Sequence, residues 1–179
     1  MIIGFTGTNA SGKTTIVNYL IAKGFNYNSL SDVIRAELDE RGMEHSRNNM
    51  RLVGNELREK YGPSVLADRI IANLKSEKSV IDSIRNTFEV YSLRQLPEFI
   101  LIAVDAPIEQ RYRRALKRGR IESATDLESF IVAENKEMSN TKTAQNIHMC
   151  MEQADHLLYN DGRIEDIYRQ VDDILMEWV

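Results

Sequence analysis

Gly4-Phe5-Thr6-Gly7-Thr8-Asn9-Ala10-Ser11-Gly12-Lys13-Thr14-Thr15-Ile16-Val17-Asn18-Tyr19-Leu20 decides the reading of this chain. Ahead of Gly7, Ile2 to Thr6 forms a short apolar strand. Behind it, Ile16, Val17, Leu20 and Ile21 recur at helical spacing, and Gly24 supplies a C-terminal stop. Between strand and helix, Gly7 to Thr14 satisfies G-x-x-x-x-G-K-[ST] in full. A phosphate chain requires several main-chain N–H groups aimed inward, and such a turn needs the conformational freedom of Gly7 and Gly12. The helix beginning near Gly12 adds unpaired N–H groups and a positive dipole end. Lys13 offers a charge to β- and γ-phosphates, and the Thr14 hydroxyl offers a ligand to Mg²⁺. The bland alternative is an accidental glycine-rich turn, against which the full motif stands after a strand and before a helix. Asn9-Ala10-Ser11 also spells a glycosylation sequon, which the absence of a secretion signal sets aside.

Outward from this loop, strands alternate with helices. Strands are predicted at residues 25–30, 79–82, 99–104 and 156–159, in addition to the first. Phe99 to Val104 is continuously apolar, as a strand covered on both faces should be. Ser31 or Asp32 is placed to cap a helix that carries Val33, Ile34 and Leu38 and ends near Gly42, further helices are expected near residues 48–61, 64–74, 87–95, 107–117 and 164–177, and polar helical segments over about 126–153. The fold class is therefore α/β: a three-layer α/β/α sandwich with a five-stranded parallel sheet and right-handed crossovers. Residues 1–179 read as a single domain. The polar stretch 118–146 is a candidate lid, or a plain pair of surface helices.

Composition narrows the partners. A formal net charge of -4 argues against broad nucleic-acid binding, which needs a basic face. It leaves room for a small anion held by a few arginines. No apolar run is long enough for a membrane span, and the N-terminus lacks a basic region with a long apolar core. One cysteine, Cys150, allows no intrachain disulfide, so a reducing, cytoplasmic setting is the expectation. His45, His148, His156 and Cys150 show no metal-ligand spacing.

Among nucleotide binders, a GTPase would carry N-K-x-D, whereas Asn135-Lys136-Glu137-Met138 lacks the aspartate. A motor or AAA-type ATPase would carry a long apolar strand ending in paired acids, whereas Val80-Ile81-Asp82-Ser83 is short and has one. Asp82 should emerge at the carboxyl edge of the sheet, where ligands bind in such folds. There it could hold Mg²⁺ through water or orient the acceptor, with Arg85 three residues on. Capping and surface roles would use the same residues. Arg111, Arg114 and Arg118 recur at i, i+3 and i+7 and so share a helix face.

Several segments stand in one order: the phosphate loop, Ser31-Asp32-Val33-Ile34-Arg35, Val80-Ile81-Asp82-Ser83-Ile84-Arg85, the arginine run 111–120, and Ala154-Asp155-His156-Leu157-Leu158-Tyr159-Asn160-Asp161-Gly162. In that order they resemble the nucleoside monophosphate kinase and dephospho-CoA kinase superfamily over nearly the whole chain. The closer likeness is to archaeal adenylate-kinase-related proteins and to kinase-like domains found beside deoxycytidylate deaminases. The resemblance implies a cytoplasmic phosphotransferase using ATP and Mg²⁺ on a small-molecule nucleotide acceptor, with a homodimer or a deaminase-type partner as options and neither nucleic acid nor membrane involved. Lys13, Asp82, Arg114 and Arg118 would be catalytic. Gly7, Asn9, Ala10, Ser11, Gly12, Lys13, Thr14, Thr15 and Arg118 would hold ATP, with Asn160 and Gly162 beside its base. Asp32, Arg35, Asp82 and Arg85 would hold the acceptor, on helices spanning about 31–62, and Thr14 and Asp82 the metal. Leu30 stands where dephospho-CoA kinases commonly have an acid, and Asn9-Ala10-Ser11 replaces the usual adenylate-kinase loop. The acceptor therefore stays open between a ribo- or deoxyribonucleoside monophosphate and dephospho-CoA, and nucleotide sensing without transfer is the further alternative.

Overall fold

The computed structural model describes residues 1–118, 126–137 and 146–177. Among them five strands form one parallel sheet: β1 (Ile2–Gly7), β2 (Asn26–Ser29), β3 (Ser79–Asp82), β4 (Phe99–Asp105) and β5 (His156–Tyr159), in the order β2-β3-β1-β4-β5. The central strand β1 pairs with β3 on one side (Gly4 beside Ile81) and with β4 on the other (Gly7 beside Val104). The carboxyl ends of all five strands therefore point the same way, with those of β3, β1 and β4 adjacent.

Period-two alternation divides the core between the two faces. On one face Ile2, Ile81, Phe99 and Leu101 pack against α2 (Leu30–Glu40), α3 (Arg47–Tyr61), α4 (Val65–Ala72), α5 (Thr87–Leu93) and α8 (Ile147–Glu152). On the other, Ile3, Phe5, Val80, Ile100, Ile102 and Val104 pack against α1 (Lys13–Ala22) and α9 (Ile164–Met176). β1 is buried along its whole length, and β4 up to Val104, so both read as unbroken apolar runs. Beyond β4 come α6 (Ile108–Lys117) and α7 (Leu127–Glu137), which meet around Ala115, Tyr112 and Phe130.

Helix α2 departs from expectation at its start. Its cap is Ser29, whose backbone is extended (φ -139°, ψ 132°) and whose side chain accepts from the Ser31 N–H. Ser31 and Asp32 already lie inside the helix, and a cap must sit where the chain is still strand-like. Among the described residues no helix is long and apolar enough to cross a membrane.

Candidate active site

The loop after β1 is built as the motif requires. Gly7 has φ +131°, and a Cβ there would lie 2.1 Å from the Val104 carbonyl oxygen. Gly12 has φ +104°, and its Cβ would lie 2.2 Å from Asn160 Nδ2. A side chain at either position meets both backbone strain and a collision. Ala10 shares the left-handed region at φ +58°. Inside the loop, the Ser11 hydroxyl donates to the Thr8 carbonyl at 2.9 Å. Lys13 Nζ turns back into the cradle and donates to the carbonyls of Gly7 (2.7 Å) and Thr8 (2.6 Å) and to Ser11 Oγ (3.3 Å). Burial, then the positive charge of Arg85, lowers its pKa to about 8, against the opposing pull of Asp82. Thr14 and Thr15 follow in the first turn of α1, Thr14 exposed and Thr15 half-buried.

Three strand ends surround this loop. Asp82 closes β3, half-buried, and its Oδ1 accepts the Ser83 N–H at 2.6 Å. Ser83 itself holds φ +67°, rare for a residue with a side chain. Arg85 is half-buried beyond it, with its guanidinium pKa lowered chiefly by burial. Asp105 closes β4, and its Oδ1 accepts the Thr8 hydroxyl (2.6 Å) and the Ala106 N–H (2.8 Å). Asn160 follows β5. Its Nδ2 donates to the Ser11 carbonyl at 2.8 Å, and its own carbonyl accepts from Arg114 Nη2 at 3.1 Å. Gly162 lies two residues on, in the exposed turn that leads to α9.

Of the three arginines on the α6 face, the first two turn toward the loop. Arg114 Nη1 donates to the Ser11 carbonyl at 3.1 Å, while Gln110 Oε1 accepts from Nη2 at 3.1 Å. Burial, then the charge of Arg118, lowers the Arg114 pKa. Arg111 is buried. Its guanidinium donates to the carbonyls of Ala106 (3.0 Å) and Asn9 (3.4 Å) and forks onto the Glu134 carboxylate of α7. Arg118 caps the end of α6 and is exposed, and Arg120 lies outside the described residues. Candidate lid residues 119–125 and 138–145 also lie outside them. The part between, α7, is held to the phosphate loop through Glu134 and Arg111.

Asp32 and Arg35 lie on α2, after β2, whose sheet neighbour is β3 and not β1. They form an exposed ion pair one helical turn apart on α2, Arg35 Nη1 donating to Asp32 Oδ1. Not singled out by local spacing are Asp105, Arg111's contact with Asn9, Glu134, Arg58 and Glu89. Asp105 was within reach, as the acid ending the longer apolar run Phe99–Asp105. The others depend on partners 23 or more residues away, which no local spacing signals.

Comparison with known proteins fits this architecture. The AAA-domain family is matched over residues 3–140. The paired acids sought for a motor-type ATPase are not at these strand ends, since Asp82 is followed by Ser83 and Asp105 by Ala106. The chain is 32% identical to a UPF0200 protein of Methanocaldococcus jannaschii over 99% of its own length and 90% of the relative's. It is 31% identical to a UPF0200/UPF0201 protein of Archaeoglobus fulgidus, covering 98% of this chain but 55% of that longer relative. Among solved structures, TT1252 from Thermus thermophilus is similar with a TM-score of 0.64 at 23% identity, covering 100% of this chain and 98% of the other. Shikimate kinase from Bacteroides thetaiotaomicron is similar with a TM-score of 0.63 at 15% identity, covering 98% of each. At such identities the likeness is one of fold, and the fold is that of P-loop kinases. With family matches of this extent, the chain belongs to the AAA-domain family and to the UPF0200 proteins.

Proposed function

We propose that this protein transfers the γ-phosphoryl group of ATP, with Mg²⁺, to a nucleotide-type acceptor, a nucleoside or deoxynucleoside monophosphate before dephospho-CoA. The observation that carries the reading is the convergence at one sheet edge. Lys13 in its glycine-framed loop has the charges of Asp82 and Arg85 on the β3 side and those of Asp105 and Arg111 on the β4 side. Such a cradle fits a polyphosphate, because it joins inward N–H groups, a helix N-terminus and a lysine whose donors rest on the loop's own carbonyls. Thr14 and Asp82 would hold Mg²⁺, which takes few protein ligands and completes its shell with phosphate oxygens and water. ATP supplies the phosphoryl group, and the metal neutralises charge on it.

The chain's own residues then position and compensate. Lys13, Arg114 and Arg118 offset charge on the phosphoryl oxygens, the main work of the protein in this chemistry. Gly7 and residues 9–15 orient the donor, with Asn160 and Gly162 beside its base. Arg35 and Arg85 suit the acceptor phosphate, because a planar fork matches two oxygens at once. Asp82 orients the attacking group. The α6 and α7 side supports closure over the site, which excludes water.

A phosphoryl-transfer screen tests this. ADP formation should rise strongly with one class among the ribo- and deoxyribonucleoside monophosphates and dephospho-CoA, and collapse in Lys13→Ala. Weak, acceptor-independent turnover across the whole panel contradicts it. Tight nucleotide binding with negligible transfer would instead identify a sensing module.

A further inference from the structure

Arg58 of α3 and Glu89 of α5 form a buried ion pair that the proposed chemistry does not use. Their exposures are 3% and 0%. Glu89 Oε1 accepts Arg58 Nε at 3.1 Å and Nη2 at 2.7 Å, while Oε2 accepts the main-chain N–H groups of Arg85 (3.0 Å) and Asn86 (3.1 Å). A buried pair is a poor device for stability, because the desolvation of two charges consumes most of the attraction between them. Its value here is positional. The segment it grips is pinned on every side: Ile84 N–H donates to the Phe5 carbonyl of β1 at 3.2 Å, and the Arg85 carbonyl accepts the Asn146 N–H at 2.7 Å. Arg85 thus hangs from a main chain fixed at once to β1, to α5 and, through Arg58, to α3.

We infer that the Arg58–Glu89 pair is a positioning device for acceptor recognition, tying α3 to the main chain of Arg85 so that the Arg85 guanidinium is held at the acceptor anion. The inference rests on the phosphotransferase reading above. Arg85 lies beside the phosphate loop, since the N–H of the preceding Ile84 donates to the carbonyl of Phe5, two residues before Gly7. A rigid Arg85 fixes where the acceptor phosphate lies relative to the donor, and small misplacement there is costly to transfer.

The test is steady-state kinetics on Arg58→Met/Glu89→Gln and on Arg58→Lys, with the acceptor found for the wild-type protein. The double variant keeps an oxygen for the Arg85 and Asn86 N–H groups and buries no unpaired charge, so it removes the tether while keeping the fold, as its circular dichroism and melting curve should show. Its acceptor KM should rise roughly tenfold or more while its MgATP KM stays within about twofold. Arg58→Lys, which keeps the charge and loses the fork, should fall between. A merely structural pair would lower the melting temperature and leave both KM values where they were. A folded double variant with wild-type acceptor KM overturns the positioning role alone. Absence of transfer by the wild-type protein to every acceptor overturns the phosphotransferase reading, and this inference with it.

Discussion

Lys13 shows how one residue can be poised before its ligand arrives. Its ammonium is held by three oxygen acceptors of its own loop, yet burial and the nearby Arg85 lower its pKa to about 8. Phosphate oxygens would favour the charged form, so the bound pKa lies above the free one. Binding is then strongest where Lys13 is already protonated and weakens as pH rises through the free pKa. MgATP affinity should therefore fall between about pH 7.5 and 9.5. The slope should vanish in Lys13→Met, whose affinity is low throughout, and fluorescence titration across that range checks it. Lys13 was legible from sequence because its place is set by immediate neighbours: two glycines, a strand before and a helix after. Arg111 was legible only as a member of a basic helix face. That it turns inward depends on Glu134, 23 residues away, to neutralise it, and on the Asn9 and Ala106 carbonyls. Arg35 marks the opposite limit. Its neighbour Asp32 was visible, but their mutual pairing at an exposed position is a choice that spacing alone leaves open.

At the scale of elements, the loop that carries Arg85 is set by the cap of α5. Asn86 Oδ1 accepts the Phe88 N–H at 2.9 Å, and Glu89 reaches back to the Asn86 N–H, a capping box. Asn86→Ala should lower stability by about 1 kcal/mol or more, read as a shifted urea midpoint at unchanged m-value. A shift of zero would contradict the capping role. The strands were readable almost to the residue, since β3 and β5 coincide with their sequence expectation and β4 extends it by Asp105. Apolar runs bounded by polar residues carry that information locally. The cap of α2 was displaced from Ser31 or Asp32 to Ser29 because three adjacent polar residues compete for one role. The winner is decided by where β2 ends, which depends on its pairing of Ser29 with Asp82. Asp82 was readable at the carboxyl edge of the sheet from the apolar strand before it, whereas its pairing with Ser29 of β2 had to come from the strand register.

For the whole molecule, strand order does the decisive work. With β1 between β3 and β4, the phosphate loop emerges flanked by Asp82 and Asp105, while α2 and α3 rise on the β3 side and α6 and α7 on the β4 side. Donor and acceptor can then be held on opposite flanks of one loop, with arginines reaching in from both. A net charge of -4 is compatible with this, because a few cations, Lys13, Arg111 and Arg114 among them, suffice at the phosphate loop. The most direct measurement is isothermal calorimetry of MgATP into the nucleotide-free protein at neutral pH, with Lys13→Ala alongside and EDTA added in a second run. The account predicts a one-site isotherm for the wild-type protein, affinity weakened by roughly tenfold or more in Lys13→Ala, and a weaker isotherm once the metal is chelated. No heat of association with either MgATP or MgGTP, from protein shown to be folded, would contradict it.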